Sequence, residues 1–251
     1  QLLAMTLDYA WEVTTLTSIT AFNHLDVGHA YDADYSAAPL SWSHLDLDER
    51  EFSQELRLSA EAGDGLDWML GVSGYHASNE RQDGTDFIGP ATPLGGQQGW
   101  NEEDADGFAA FGQLNWRFEP AWTLTLSGRL AHDRKALRAA LDVRSAQGSV
   151  SLPFEDEVDF DSFTPGAYLS FATTQNLTLY ASVARASKLG GFNVFALTGV
   201  IADDERSFDA GTVVHQLAKL DRELPFGIGL TVGQRQFGQC QQASVGMLGE
   251  F

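Results

Sequence analysis

Residues 121–130 read AWTLTLSGRL, and the pattern leaves little freedom in how they fold. Trp122, Leu124, Leu126 and Leu130 alternate with Thr123, Thr125, Ser127 and Arg129. A period of two means an extended strand with two chemically different faces. The same signature recurs in FSQELRLSA, where Phe52, Leu56, Leu58 and Ala60 oppose Ser53, Glu55, Arg57 and Ser59. It recurs in LDWMLGVSGY (66–75), GFAAFGQLNWRF (107–118) and LTLYASV (177–183). Strand-like segments are expected at 2–10, 13–24, 50–61, 66–79, 107–118, 122–133, 162–173 and 177–187, with a ninth starting near 207. VTTLTSITAF, within the second segment, alternates poorly and does not fix its own facing.

The segments run to about 10–12 residues, against roughly 5–6 for an ordinary soluble strand. A tilted strand crossing a bilayer needs about 9–11. The connections point the same way. Those near 11–12, 62–65, 119–121 and 174–176 are short; those at 25–49, 80–106, 134–161 and 188–206 are long. Strict alternation puts all short turns at one end of an up-and-down sheet and all long loops at the other, as in outer-membrane barrels. Of the 35 acidic residues, 24 fall in or next to the long connections. Tyr9, Trp11, Trp68, Trp116 and Trp122 sit beside the short turns, where a membrane-interface girdle is expected.

Composition narrows the alternatives. Thirty-five acids against 15 bases give a formal charge of −20, which argues against a nucleic-acid partner because phosphate contacts need clustered Lys and Arg. The single cysteine, Cys240, excludes an internal disulfide and a cysteine metal cluster. The start, QLLAMTLDYAW, lacks a basic region, an apolar run and a cleavage site. It alternates like a strand, so the chain reads as a fragment that begins inside the sheet.

Chemistry-bearing motifs are sparse. Six scattered histidines show no His-Glu-x-x-His spacing, so no metal site and no cofactor are expected. The run Glu155, Asp156, Glu157, Asp159, Asp161 reads as a solvated charge cluster. No nucleophile motif marks an enzyme. On the polar strand face, Glu55, Arg57, Gln113, Arg117 and Arg129 are expected to point into a lumen. In the first long connection, Tyr31, Asp32, Asp34, Tyr35 and Trp42 are the candidates for touching a ligand at the barrel mouth.

Four blocks in order resemble the barrel of TonB-dependent outer-membrane receptors: TTLTSITAFNH with YDADYS; REFSQELRLSAE with LDWMLGVSGYHAS; GFAAFGQLNWRFEPAWTLTLSGRLAHDRK; and FTPGAYLSFATTQNLTLYASVARASKLGGFN. The resemblance spans about residues 5–211. It implies an all-β fold, here part of an antiparallel up-and-down transmembrane β-barrel with eight or nine long hairpin-connected strands. The family's barrel has 22 strands closed by an N-terminal plug, and neither the plug nor the energy-coupling motif stands in this sequence. The implied role is uptake of a scarce small-molecule nutrient such as ferric siderophore or cobalamin across the outer membrane of a Gram-negative bacterium. The implied partners are outer-membrane lipid, the nutrient itself and, for the full-length receptor only, a periplasmic energy-coupling protein. A passive porin-like barrel and a secreted β-rich carbohydrate-binding module are the alternatives.

After residue 211 the resemblance decays, so residues 1–211 are read as barrel and 212–251 as a divergent tail. In VVHQLAKLDREL, Val214, Leu217, Leu220 and Leu224 share a helical face, predicting an irregular, partly helical tail.

Overall fold

The computed structural model describes residues 1–38, 40–63, 65–87, 94–174, 177–192, 207–208, 211–222 and 231–232, with backbone alone for 94, 174, 212–222 and 231–232. The strands are Leu2–Trp11 (β1), Thr14–Asp32 (β2), Ser41–Glu61 (β3), Leu66–Phe87 (β4), Leu94–Glu119 (β5), Trp122–Ser145 (β6), Gly148–Phe163 (β7), Gly166–Thr174 (β8), Leu177–Lys188 (β9), Gly191–Phe192 (β10), Ser207–Phe208 (β11), Gly211–Arg222 (β12) and Thr231–Val232 (β13). One antiparallel sheet runs β1-β2-β3-β4-β5-β6-β8-β9-β12-β13, with β7 paired to β6 beyond β8. β10 and β11 form a separate pair.

β7 and β8 are one traversal interrupted at Thr164-Pro165. Leu130 lies opposite Phe163 and Ser127 opposite Gly166, so the register continues unbroken along β6. Proline has no N–H to give to a ladder, and Thr164 bridges the gap by exchanging both backbone bonds with Arg129. Counting β7 and β8 together, β1–β9 and β12 make nine long traversals, within the expected eight or nine.

The strands are longer than the sequence pattern suggests. The stretches 25–49, 80–106 and 134–161, expected as long loops, are mostly strand: β2 and β3 pair from Thr14↔Ala60 to Asp32↔Trp42. β6 and β7 pair up to Ser145↔Gly148, leaving a two-residue turn. In these three hairpins the asymmetry between the two ends comes from how far the strands extend; the fourth long connection, 188–206, lies mostly outside the described residues. From His76 to Phe87, β4 adds roughly 35 Å of strand at ~3.3 Å per residue.

A second correction concerns the tail. The helical reading of residues 213–224 fails over 211–222, which form a strand running antiparallel to β9 from Gly211↔Lys188 to Arg222↔Leu177. An amphipathic pattern of four leucine-type residues cannot compete with a sheet edge that offers partners to the backbone groups. Among the described residues there is no helix. The rest of the proposed tail, including Leu224, Cys240 and Phe251, lies outside the described residues.

The register assigns every side chain to one of two faces. The leucine face carries Leu7, Leu56, Val72, Ala110 and Leu130 in one cross-strand row, and Trp11, Ala60, Trp68, Leu114 and Leu126 in another. It places the poorly alternating β2 too, with Leu16 and Phe22 on this face. The polar intruders there satisfy one another: Thr20 Oγ1 donates to Gln54 Oε1 at 2.6 Å, and Gln54 Nε2 donates to Ser18 Oγ at 3.0 Å. Such mutual pairing is what hydrocarbon surroundings demand of polar groups. Among the described residues no protein layer covers this face: Leu7, Leu70, Phe108 and Leu130 are each more than half exposed. Among the described residues the buried apolar cluster is Leu137, Ala139 and Phe192, flanked by Phe154 and Val158. The packed core that a secreted module would place on its apolar strand faces is not seen among the described residues.

Candidate functional site

The aromatic residues expected as a girdle all lie on the leucine face at the short-turn end. Tyr9 and Trp11 rings are 5.7 Å apart, Trp116 and Phe118 5.2 Å, and Trp122 stacks on Phe171 at 4.2 Å. Trp68 stands in the row between Ala60 and Leu114. The opposite face, which we term the arginine face, carries Glu55, Arg57, Gln113, Arg117 and Arg129 together, by strand parity. Each is engaged by a neighbour. Arg57 pairs with Glu55, Arg117 Nη1 lies 2.9 Å from Asp67 Oδ2, and the Arg129 guanidinium sits 5.7 Å from the Phe111 ring centroid. Gln113 Nε2 donates to Asn115 Oδ1 at 3.2 Å.

Beyond the apolar band the two faces exchange chemistry. Along β2, the leucine face changes from Leu16 and Phe22 to His24 and Asp26, while the arginine face changes from Thr17 and Asn23 to Leu25 and Val27. Along β6, Leu126 and Leu130 give way to His132, Arg134 and Arg138, while Ser127 and Arg129 give way to Leu137, Ala139 and Leu141. The leucine side of the extended hairpins becomes a charge ladder, with Asp26, Asp48, Glu80, Glu102, Arg138 and Glu155 in one row. Arg138 reaches Glu102 and Glu155 at 3.6 Å each.

Three histidines mark the line of exchange. His24 lies 3.1 Å from Asp48, His76 2.8 Å from Asp106 and His132 2.9 Å from Asp161. Donating to the Asp161 carboxylate holds the His132 imidazole above its ordinary value, and the bond from His24 holds the Asp48 carboxyl below its own.

The arginine side of the hairpins becomes a wall of aliphatic and aromatic residues with acids set among them. Phe192 of β10 packs there on Leu137 and Ala139, and Phe160 closes against Gly190. At the foot of this wall Tyr75 donates its hydroxyl to the nearly buried Asp133 at 2.9 Å. Sequence reading missed Leu25, Leu45, Leu137, Phe154 and the Tyr75–Asp133 pair. The signal that would have found them is the switch of apolar residues from even to odd positions along β2 and β6.

The five mouth candidates are not gathered onto one face. Tyr31 lies on the arginine side, its ring stacked on His29 at 5.4 Å. Asp32 and Trp42 are register partners on the other side. Tyr35 projects from the tip, 86% exposed, in a left-handed conformation with φ 53°. Asp34 is engaged by its own loop: its carboxylate accepts the amides of Ser36 at 3.0 Å, Leu40 at 2.9 Å and Ser41 at 2.7 Å. The bond from Ser36, with those from Ser41 and Leu40, holds the Asp34 carboxyl far below its usual value of 3.8. A depressed folded-state pKa stabilises the loop above the unfolded value, and that contribution is lost as pH falls through the folded one. The Leu40 and Ser41 amide proton shifts are therefore expected to titrate with a midpoint well below 3.8, and Asp34→Asn is expected to abolish the titration. A midpoint near the ordinary value would contradict this arrangement.

Among the described residues no group of three or more His, Cys, Asp or Glu side chains is arranged to hold a metal ion. What the geometry offers is a surface banded as a barrel wall is banded. Residues 2–216 match the family profile described as TonB dependent receptor-like, beta-barrel. Three solved structures share the fold. They are the ferric yersiniabactin uptake receptor FyuA from Yersinia pestis (14% identity, TM-score 0.71, 88% of this chain and 33% of that one), the copper transporter OprC (14%, 0.62, 88% and 37%) and the siderophore receptor PiuA from Acinetobacter baumannii (13%, 0.57, 89% and 37%). The chain thus spans about a third of the length of the structures it matches. With a banded sheet of nine traversals and a family match over most of its length, this chain belongs to the TonB-dependent receptor β-barrel family.

Proposed function

We propose that residues 1–211, continued by β12, form part of the wall and external vestibule of an outer-membrane receptor that takes up a scarce small-molecule nutrient in a Gram-negative bacterium. Metal chelates are the leading class: two of the similar structures are described as siderophore receptors or uptake receptors and one as a copper transporter. The observation that carries the reading is the exchange of faces. An apolar outward band lies between an aromatic rim and a charge ladder, and hairpins rise beyond it with a separate inner surface. In this reading Glu55, Arg57, Gln113, Arg117 and Arg129 face the lumen, and Tyr31 contributes to the mouth. The periplasmic energy-coupling partner acts on the full-length receptor, and the chain's own part is recognition and enclosure, without catalysis.

Uptake of a labelled ferric or cupric chelate by cells carrying the receptor tests this. Saturable uptake that stops when the proton gradient is collapsed is expected. Linear, gradient-independent entry with steady ion conductance in planar bilayers would establish the passive pore instead.

A further inference from the structure

The inner wall of the extended hairpins has a definite charge character. On the arginine side of β2–β7 beyond the apolar band stand six carboxylates, Glu49, Glu51, Asp83, Glu103, Asp133 and Asp156, and two cations, Arg81 and Lys135. Both cations are held by acids: Arg81 lies 3.2 Å from Asp83, and Lys135 3.4 Å from Glu103. Lys188, exposed at the end of β9, lies outside the hairpins. Glu49 is flanked across the sheet by Leu25 and Asn79, and Glu51 by Asn23 and Ala77, so neither faces a cation directly. Beside them the wall is aliphatic, with Leu25, Val27, Leu45 and Leu47, and Leu25 is 42% exposed. The same wall already seats an apolar group further along, where Phe192 packs on Leu137 and Ala139.

We propose that the wall formed by Leu25, Val27, Leu45, Leu47, Glu49 and Glu51 takes a chelate with apolar faces and net positive charge, and rejects polyanionic chelates. This rests on the uptake reading above. The physical ground is complementarity: a carboxylate beside a low-dielectric aliphatic surface attracts a weakly hydrated cation and repels an anion more strongly than one surrounded by water. The Tyr31 ring near the hairpin tip, stacked on one side by His29, adds an aromatic face that favours cations.

Three water-soluble chelates of similar size distinguish the classes: tris(bipyridine)ruthenium(II), cationic with aromatic faces; a neutral ferric tris-hydroxamate; and the trianionic ferric tris-catecholate. Binding is measured to the chain in lipid nanodiscs for wild type, Glu49→Gln, Glu51→Gln and the outer-ladder control Glu80→Gln. The expected order is cation tighter than neutral, with no catecholate binding. Each inner-wall substitution should weaken the cation about fivefold, the scale of one partly screened ion pair, and Glu80→Gln should leave it unchanged. Equal or tighter binding of the neutral or anionic chelate overturns the proposal and leaves the uptake reading standing. Equal loss in Glu80→Gln, or no loss in the inner-wall variants, overturns it as well, because the attraction is then a diffuse field of the acidic chain. Binding of none of the three overturns this proposal and removes support from the uptake reading together.

Discussion

Leu56→Arg is expected to lower the stability of the sheet in phospholipid vesicles by about 2–4 kcal/mol, the penalty for an arginine at the middle of the lipid-facing surface of a barrel. Leu56 is 43% exposed and stands at the centre of the row Leu7, Ser18, Leu56, Val72, Ala110 and Leu130, between the Trp68 level and the Phe52 level. One position along the strand, Arg57 is present in the native sequence on the opposite face and pairs with Glu55. The chain therefore contains its own control: Arg57→Leu should cost far less than Leu56→Arg, although both alter the same residue types at adjacent positions. Urea unfolding in vesicles, followed by tryptophan fluorescence, measures both. Equal stability of Leu56→Arg and wild type would mean that this face does not meet hydrocarbon, and the reading of the whole sheet as a membrane wall would fall with it.

Gly107→Ala is expected to destabilise by about 1–3 kcal/mol, the usual range for forcing an extra carbon into an occupied space. On β5, Gly107 lies directly opposite Tyr75 of β4, and Gly71 of β4 lies directly opposite Phe111 of β5. The two pairs are reciprocal: each strand supplies one aromatic ring and one glycine, four residues apart. A Cβ on Gly107 would meet the Tyr75 ring and stand 2.6 Å from Asp133 Oδ1, and one on Gly71 would meet the Phe111 ring. A ring laid over a cross-strand glycine restores the packing that glycine lacks and pins the register of the two strands. Because ring and glycine form one unit, Tyr75→Ala and Gly107→Ala should not be additive. The double variant is expected to be more stable than the sum of the single effects by at least about 0.5 kcal/mol, beyond the scatter found for independent sites. Additive effects would show that the ring does not occupy the glycine's space.

Much of the fold could be read from residue order, because each crossing segment repeats one rule. Leu124 and Leu126 alternate with Thr125 and Ser127, and the structure places them with Leu114 and Trp116 on one continuous face. The short turns, the shared face of Tyr9, Trp11, Trp68, Trp116 and Trp122 and the opposite shared face of Glu55, Arg57, Gln113, Arg117 and Arg129 followed from the same period of two. The rule misled where its sign changed. In 25–49 and 134–161 the alternation persists, but the apolar residues move to the other face and charged residues of both signs occupy the first, so the segments look like polar loops. The helix expected from Val214, Leu217 and Leu220 was lost to the free edge of β9, a partner 188 to 177 in the chain that no local pattern announces.

The sequence by itself determined which residues alternate, how long the crossing segments are and where the charge accumulates, since these are properties of neighbours along the chain. Only the tertiary structure decided which of two faces each side chain shares with strands far away. It decided that Asp34 serves its own loop, that Tyr75 covers Gly107 and that Phe192 returns to Leu137. The physical reason is that backbone pairing is blind to side chains: it fixes register over the full length of a hairpin, and register then assigns each residue to one face of the sheet or the other.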